Sequence, residues 1–134
     1  MPTILVIEDT IDLVEVIRRE LQAAGYSVLH AGDGLTGLEL DDRFDPDLII
    51  LDWSLPQLDG PEVLRRLRQS SDVPVLMLTE RGEEVDRQGI PDLASDDFLA
   101  KPFAMSALIS RVGVLLRRSG MAFEALARAS ASGE

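Results

Sequence analysis

Five short apolar runs, each followed by a stretch of helical periodicity, constrain this chain more than any other feature of its sequence. Thr3–Ile7 leads into Ile11–Ala24, where Leu13, Ile17, Leu21 and Ala24 return to one helical face and Gly25 stands at the stop. Tyr26–Ala31 leads into Leu35–Asp42. Leu48–Leu51 leads, across a loop containing Pro and Gly, into Pro61–Gln69, with Pro61 suited to a first helical turn. Val73–Thr79 leads into about Glu83–Leu93, and Phe98–Ala100 into Met105–Arg118. Runs such as Leu48–Leu51 and Val75–Leu78 are apolar without alternation, the pattern of parallel strands covered on both faces. Repeated βα units predict an α/β fold, a doubly wound five-stranded parallel sheet with helices on both faces. A chain of 134 residues, 46% of them hydrophobic, builds one such core and not two. The expected domain is 1–118, with 119–134 a short, small-residue-rich tail or linker.

Charge removes several function classes. The 24 acidic and 13 basic residues leave a formal net charge of −11. Such a surface repels phosphate backbones and anionic lipid, so this domain by itself is expected to bind neither nucleic acid nor membrane. Without cysteine there is no disulfide, thiol nucleophile or thiolate metal site, which fits a reducing compartment. Met1-Pro2-Thr3 has no basic n-region, and no apolar run approaches the roughly 20 residues of a membrane span. A cytoplasmic location is expected. The cations are lopsided: twelve Arg and a single Lys, Lys101.

In open parallel sheets, ligands bind beyond the carboxyl ends of the strands. Strand one ends in Glu8-Asp9, strand three in Asp52, strand four in Thr79 and strand five in Lys101-Pro102. Taken singly, each has an ordinary reading: an Asp or Thr as a helix cap or turn residue, a Lys as a solvated charge. Together on consecutive strand ends they are hard to explain as solvation. Three crowded carboxylates repel one another unless a cation sits among them, and oxygen donors of this kind suit a hard divalent ion such as Mg²⁺ or Mn²⁺. A Lys ammonium and a Thr hydroxyl suit phosphoryl oxygens, and a carboxylate can itself form an aspartyl phosphate.

Ile4-Leu-Val-Ile-Glu8-Asp9, Leu48-Ile-Ile-Leu-Asp52-Trp-Ser-Leu-Pro-Gln-Leu-Asp-Gly60, Val75-Leu-Met-Leu-Thr79 and Asp96-Asp-Phe-Leu-Ala-Lys101-Pro-Phe103 stand in order at these spacings. In these pieces the chain resembles a response-regulator receiver domain of the CheY-like, flavodoxin-like fold, from about residue 3 to 118. The resemblance implies a phosphoacceptor in two-component signalling that assists its own phosphorylation and dephosphorylation, rather than a turnover enzyme. Asp52 would accept the phosphoryl group from a sensor histidine kinase or a small donor. Asp9, Asp52 and the backbone carbonyl of Ser54 would ligate the metal, with Glu8 acting through a water. Lys101 would pair with Asp52 and then with the phosphoryl oxygens. Thr79 would swing inward onto the phosphoryl group and draw Phe98 with it. The family also carries a cis peptide before the position of Pro102.

Arg111–Arg118 and the Asp52-Trp-x-Leu-Pro motif resemble the OmpR/PhoB-type winged-helix branch, whose output and dimer face is formed by the fourth helix, fifth strand and fifth helix. If a winged helix followed Arg118, the whole protein would bind DNA and regulate transcription although this domain does not. Charge pairs cross that face in the branch. Arg87, Asp92, Asp97 and Arg111 stand at matching positions, but Ala107 and Gly113 replace the counterparts of Arg87 and Asp92. Only Asp97–Arg111 survives, so a weakened dimer is expected. Gly89 and Pro91 fall inside the predicted Glu83–Leu93 helix, where an internal Pro costs about 3 kcal/mol, so that helix should be kinked or short. Glu80 replaces the small residue usual after Thr79 and would narrow access to the acceptor, while Ser54 and Arg81 hold loop positions that tune phosphoryl lifetime in the family.

Two other readings compete. Gly32-Asp-Gly34-Leu-Thr-Gly37 matches G-x-G-x-x-G, follows a strand and opens a helix, with Asp52 about 20 residues on. A dinucleotide oxidoreductase would, however, carry it after the first strand and without Asp33 in the path of the pyrophosphate. The other is a receiver-like interaction module not switched by phosphate. His30 reads as structural or surface, and Trp53 as a partly buried neighbour of the acidic site.

Overall fold

The computed structural model describes residues 1–80 and 95–120. Within them the apolar runs become β1 (Thr3–Ile7), β2 (Ser27–Ala31), β3 (Leu48–Asp52), β4 (Val75–Thr79) and β5 (Asp97–Ala100). All pairings are parallel, in the order β2-β1-β3-β4-β5, so every strand ends on the same edge of the sheet. The connecting helices are α1 (Ile11–Ala23), α2 (Gly34–Phe44), α3 (Gly60–Leu67) and α4 (Met105–Arg118). The expected Glu83–Leu93 helix, with Gly89 and Pro91, lies outside the described residues, as do Arg81, Arg87, Asp92 and residues 121–134 of the expected 119–134 tail.

Strand side chains alternate between two apolar layers. Ile4, Val6, Leu48, Ile50, Leu76 and Leu78 face Ile17 and Leu21 of α1 and Leu108, Val112, Leu115 and Leu116 of α4. Leu5, Ile7, Ile49, Leu51, Val75 and Met77 face Val63, Leu64 and Leu67 of α3, with Leu38 of α2 beside them. With one layer on each side, every strand needs apolar side chains in both directions, which is why the runs do not alternate.

Boundaries move where a local bond outweighs periodicity. β3 extends to Asp52, one residue beyond its apolar run, and Trp53 N–H still donates to the Leu78 carbonyl at 2.8 Å. Helix α2 starts at Gly34 because the Asp33 carboxylate accepts the Thr36 N–H at 2.8 Å, a cap worth about 1 kcal/mol. Helix α3 stops at Leu67, and the Arg68 guanidinium turns to the Val73 carbonyl at 2.7 Å and to Asp96 at 3.0 Å.

The same geometry disposes of the dinucleotide reading. A Cβ added at Gly34 would stand 2.5 Å from Val63 Cγ2, and one at Gly37 would run into the Ile7 side chain. These glycines let α2 lie close against α3 and β1. The helix N-terminus where a pyrophosphate would sit is already taken by the Asp33 carboxylate.

Gly113 is different: the nearest atom to an added Cβ is Arg117 Nη1, at 3.7 Å. Gly113→Ala is expected to stabilise α4 by about 0.5–1 kcal/mol, because alanine loses less backbone entropy in a helix. A thermal melt should show a Tm about 3 °C higher; an unchanged or lower Tm would contradict it.

Candidate functional site

At the carboxyl edge of the sheet, β1 hands on to Glu8 and Asp9, β3 ends in Asp52, β4 in Thr79, and β5 is followed by Lys101. One carboxylate oxygen from each of Glu8, Asp9 and Asp52 lies within 4.8 Å of the others. Glu8 is fully buried, Asp52 and Thr79 nearly so, while Asp9 is exposed at the mouth. Lys101 Nζ stands 3.1 Å from Asp52 Oδ1 and 3.4 Å from Glu8 Oε1, bridging the two buried acids. Its backbone N–H donates to the Thr79 carbonyl at 2.6 Å, which ties the ends of β4 and β5 together. The Lys101–Pro102 peptide is cis.

Three carboxylates and one ammonium leave two negative charges over. Two like charges separated by somewhat under 5 Å repel by about 3–4 kcal/mol at an effective dielectric of about 20, comparable with what each gains from Lys101. Burial pushes the Glu8 carboxyl above its usual range, and the Asp52 charge adds to this, against the Thr10 N–H and Lys101. Burial pulls the Lys101 ammonium down, but Asp52 and Glu8 outweigh it and the net shift is upward. An all-oxygen cluster with excess negative charge and one open, exposed ligand fits a hard divalent cation.

Most of the expected site converges, with some supports that the sequence did not announce. The Ser54 N–H points back to Asp52 Oδ1 at 3.4 Å, so the start of the β3–α3 loop curls back over Asp52. Thr10 N–H donates to Glu8 Oε2 at 3.1 Å. Phe98 is partly buried against the α3-side layer, and Trp53 packs beside the same layer. Glu80 is exposed immediately after Thr79. Asp97 and Arg111 stand away from the acidic cluster and bind each other within the chain, Arg111 Nη1 lying 2.9 Å from both Asp97 oxygens. A cavity of about 470 Å³ opens at the opposite edge among Asp47, Asp72, Asp96 and Arg118. There Asp47 accepts the Thr3 N–H and Asp96 the Val75 N–H, so those two acids cap strand starts.

Comparison with known proteins agrees with this fold. The family described as "Response regulator receiver domain" matches residues 4–113. The chain is 44% identical over 123 residues to the DNA-binding dual master transcriptional regulator RpaA of Synechocystis, covering 89% of this chain and 51% of that protein. It is 44% identical over 117 residues to the response regulator MprA of Mycobacterium leprae, covering 87% and 51%. The chain thus spans about half the length of the curated relatives it matches. Among solved structures, the Francisella response regulator 1452 receiver domain superposes with a TM-score of 0.83 at 32% identity, over 89% of this chain and 99% of that one. The receiver domain of the Pseudomonas aeruginosa sensor histidine kinase PA1611, solved with a magnesium ion coordinated in its active-site cleft, gives 0.79 at 30% identity, over 86% and 97%.

Proposed function

This chain belongs to the response regulator receiver domain family, and on that premise we propose that Asp52 accepts a phosphoryl group from a sensor histidine kinase in a metal-dependent reaction. The observation that carries the reading is the buried Glu8–Asp52 pair bridged by Lys101, the only lysine of the chain, with Asp9 at its mouth. Asp9, Asp52 and the Ser54 backbone carbonyl would hold Mg²⁺ or Mn²⁺, with Glu8 acting through a water, and the bound ion would supply charge neutralisation. Transfer joins one Asp52 oxygen to phosphorus and breaks the bond from phosphorus to the donor imidazole nitrogen, which leaves with the electron pair. Lys101 neutralises charge on the transferred oxygens, and the Thr79 hydroxyl donates to one of them. Phe98 follows Thr79 inward. The chain is an acceptor that assists its own phosphorylation and dephosphorylation rather than a turnover enzyme.

The added charge biases the face carrying β5 and α4 toward its output state. The relatives are twice as long, and one is named a DNA-binding transcriptional regulator; transcription is therefore the output we favour, carried by a segment outside residues 1–118, which we assign as the receiver domain. Residues 119–134 are assigned as linker. Self-association through that face would be weak, because Asp97 and Arg111 already satisfy each other within one chain and must part to bridge two. Among the described residues no helix is long and apolar enough to cross a membrane. We assign a cytoplasmic site of action on family membership.

Trp53, the sole Trp, sits beside Asp52 and reports on the site. Its fluorescence should change with Mg²⁺ and again with beryllofluoride. Silence toward both would sink the reading and favour a phosphate-independent interaction module.

Glu80 adds an exposed negative charge where an anionic donor must approach. Glu80→Ala should accelerate phosphorylation by small phosphodonors about three- to ten-fold, as expected when one repelling charge is removed from an approach path. Unchanged rates in the variant would dispose of this.

A further inference from the structure

His30, at the penultimate position of β2, lies outside the acidic cluster, yet its Nε2 is 2.9 Å from the Glu8 carbonyl oxygen. A carbonyl only accepts, so the bond requires a proton on Nε2. The last backbone bond between β1 and β2 runs from the Glu8 N–H to the Ala31 carbonyl at 3.0 Å. Beyond it the chain leaves the sheet through Gly32 and Asp33, and Asp33 is engaged in capping α2. The imidazole therefore takes the place of the next ladder donor. The bond it makes fixes one particular peptide plane, that between Glu8 and Asp9, two of the three clustered acids. Glu8 is then held at its N–H by Ala31, at its carbonyl by His30 and at its carboxylate by Thr10 and Lys101. Asp9, which is exposed, shares that peptide.

We propose that His30 is a positioning residue for the metal site, holding the Glu8–Asp9 peptide so that both carboxylates face Asp52. This rests on the metal-site reading above. Partners that orient ligands in this way typically contribute 10–100-fold to metal affinity. His30→Ala should weaken Mg²⁺ binding, titrated through Trp53 fluorescence, by about ten-fold. His30→Gln, whose amide can donate to the same carbonyl, should recover most of that loss. A merely structural histidine would lower Tm in both variants without separating their affinities.

His30 is also the chain's only histidine, so its ring nitrogens give one unambiguous set of NMR signals. In the wild-type chain they should show the Nε2-protonated ring and shift as Mg²⁺ is added. Wild-type affinity retained in a folded His30→Ala, equal losses in both variants, or an imidazole indifferent to Mg²⁺ would each overturn the proposal. A wild-type chain that binds no Mg²⁺ would overturn the metal site and the proposal together, which distinguishes the two failures.

Discussion

Asp52→Asn is expected to take up phosphate from a small phosphodonor at least on the order of 10³-fold more slowly than the wild-type chain, the scale seen when a nucleophile is removed. Asn keeps the shape and can still accept from Ser54 N–H, so the loop over the site has no reason to move. What it loses is the nucleophilic oxygen and its charge. Labelled, hydroxylamine-sensitive phosphate persisting in the variant would assign the acceptor role to Asp9 or Glu8 instead. The same variant makes an opposite prediction for stability. Burial, with the Asp52 charge adding to it, raises the Glu8 carboxyl above its unfolded value. Stability tied to a raised carboxyl is fully present at low pH and is lost as pH rises through the folded value. Neutralising residue 52 lowers that value and reduces the loss. In the absence of divalent cation at pH 7, Asp52→Asn should therefore melt no lower than wild type, although Lys101 keeps only one of its two partners. Loss of phosphorylation with retained stability separates a chemical role from a folding role.

The fold was legible because its physics is periodic. Uninterrupted apolar runs require cover on both faces, and the two layers meeting at Ile4/Val6 and Leu5/Ile7 are that requirement met. Asp52, Thr79 and Lys101 were legible for the same reason: a polar residue closing an apolar run falls on the carboxyl edge of a parallel sheet. His30 and Thr10 were not. Their bonds to Glu8 depend on where β2 turns out of the sheet and where α1 begins, distances that no residue pattern encodes. The glycine motif misled in one direction because G-x-G-x-x-G records only a need for close approach. Whether the approaching group is a phosphate or, as at Gly37, the Ile7 side chain is a tertiary fact. Asp97 and Arg111 match an intermolecular pair of the branch by position; that they also bind each other within one chain is a tertiary fact the residue pattern does not carry.

The second large effect is expected at a residue with no side chain. Gly60 opens α3, and its N–H donates to the Trp53 carbonyl at 2.8 Å, folding the helix start back onto the end of β3. A Cβ added there would collide with the Asp52 carbonyl oxygen and stand 2.8 Å from Trp53 Cα. Both obstacles are backbone, so no rotamer change relieves them. Gly60→Ala should cost about 2–3 kcal/mol, in the range of overpacked sites, and lower Tm by roughly 10 °C. The strain falls on the peptide that follows Asp52, so Mg²⁺ affinity read through Trp53 should fall in the same variant. Gly32→Ala is the matched control: nothing lies within 4 Å of its added Cβ, and a change within about 0.5 kcal/mol is expected there. If Gly60→Ala melts within a degree or two of Gly32→Ala, α3 moves away from β3 freely and does not brace Asp52. If it melts far lower, the five residues from Ser54 to Leu58 are a loop whose two ends are fixed by backbone contact, and the orientation of Asp52 is set from α3 as much as from the sheet.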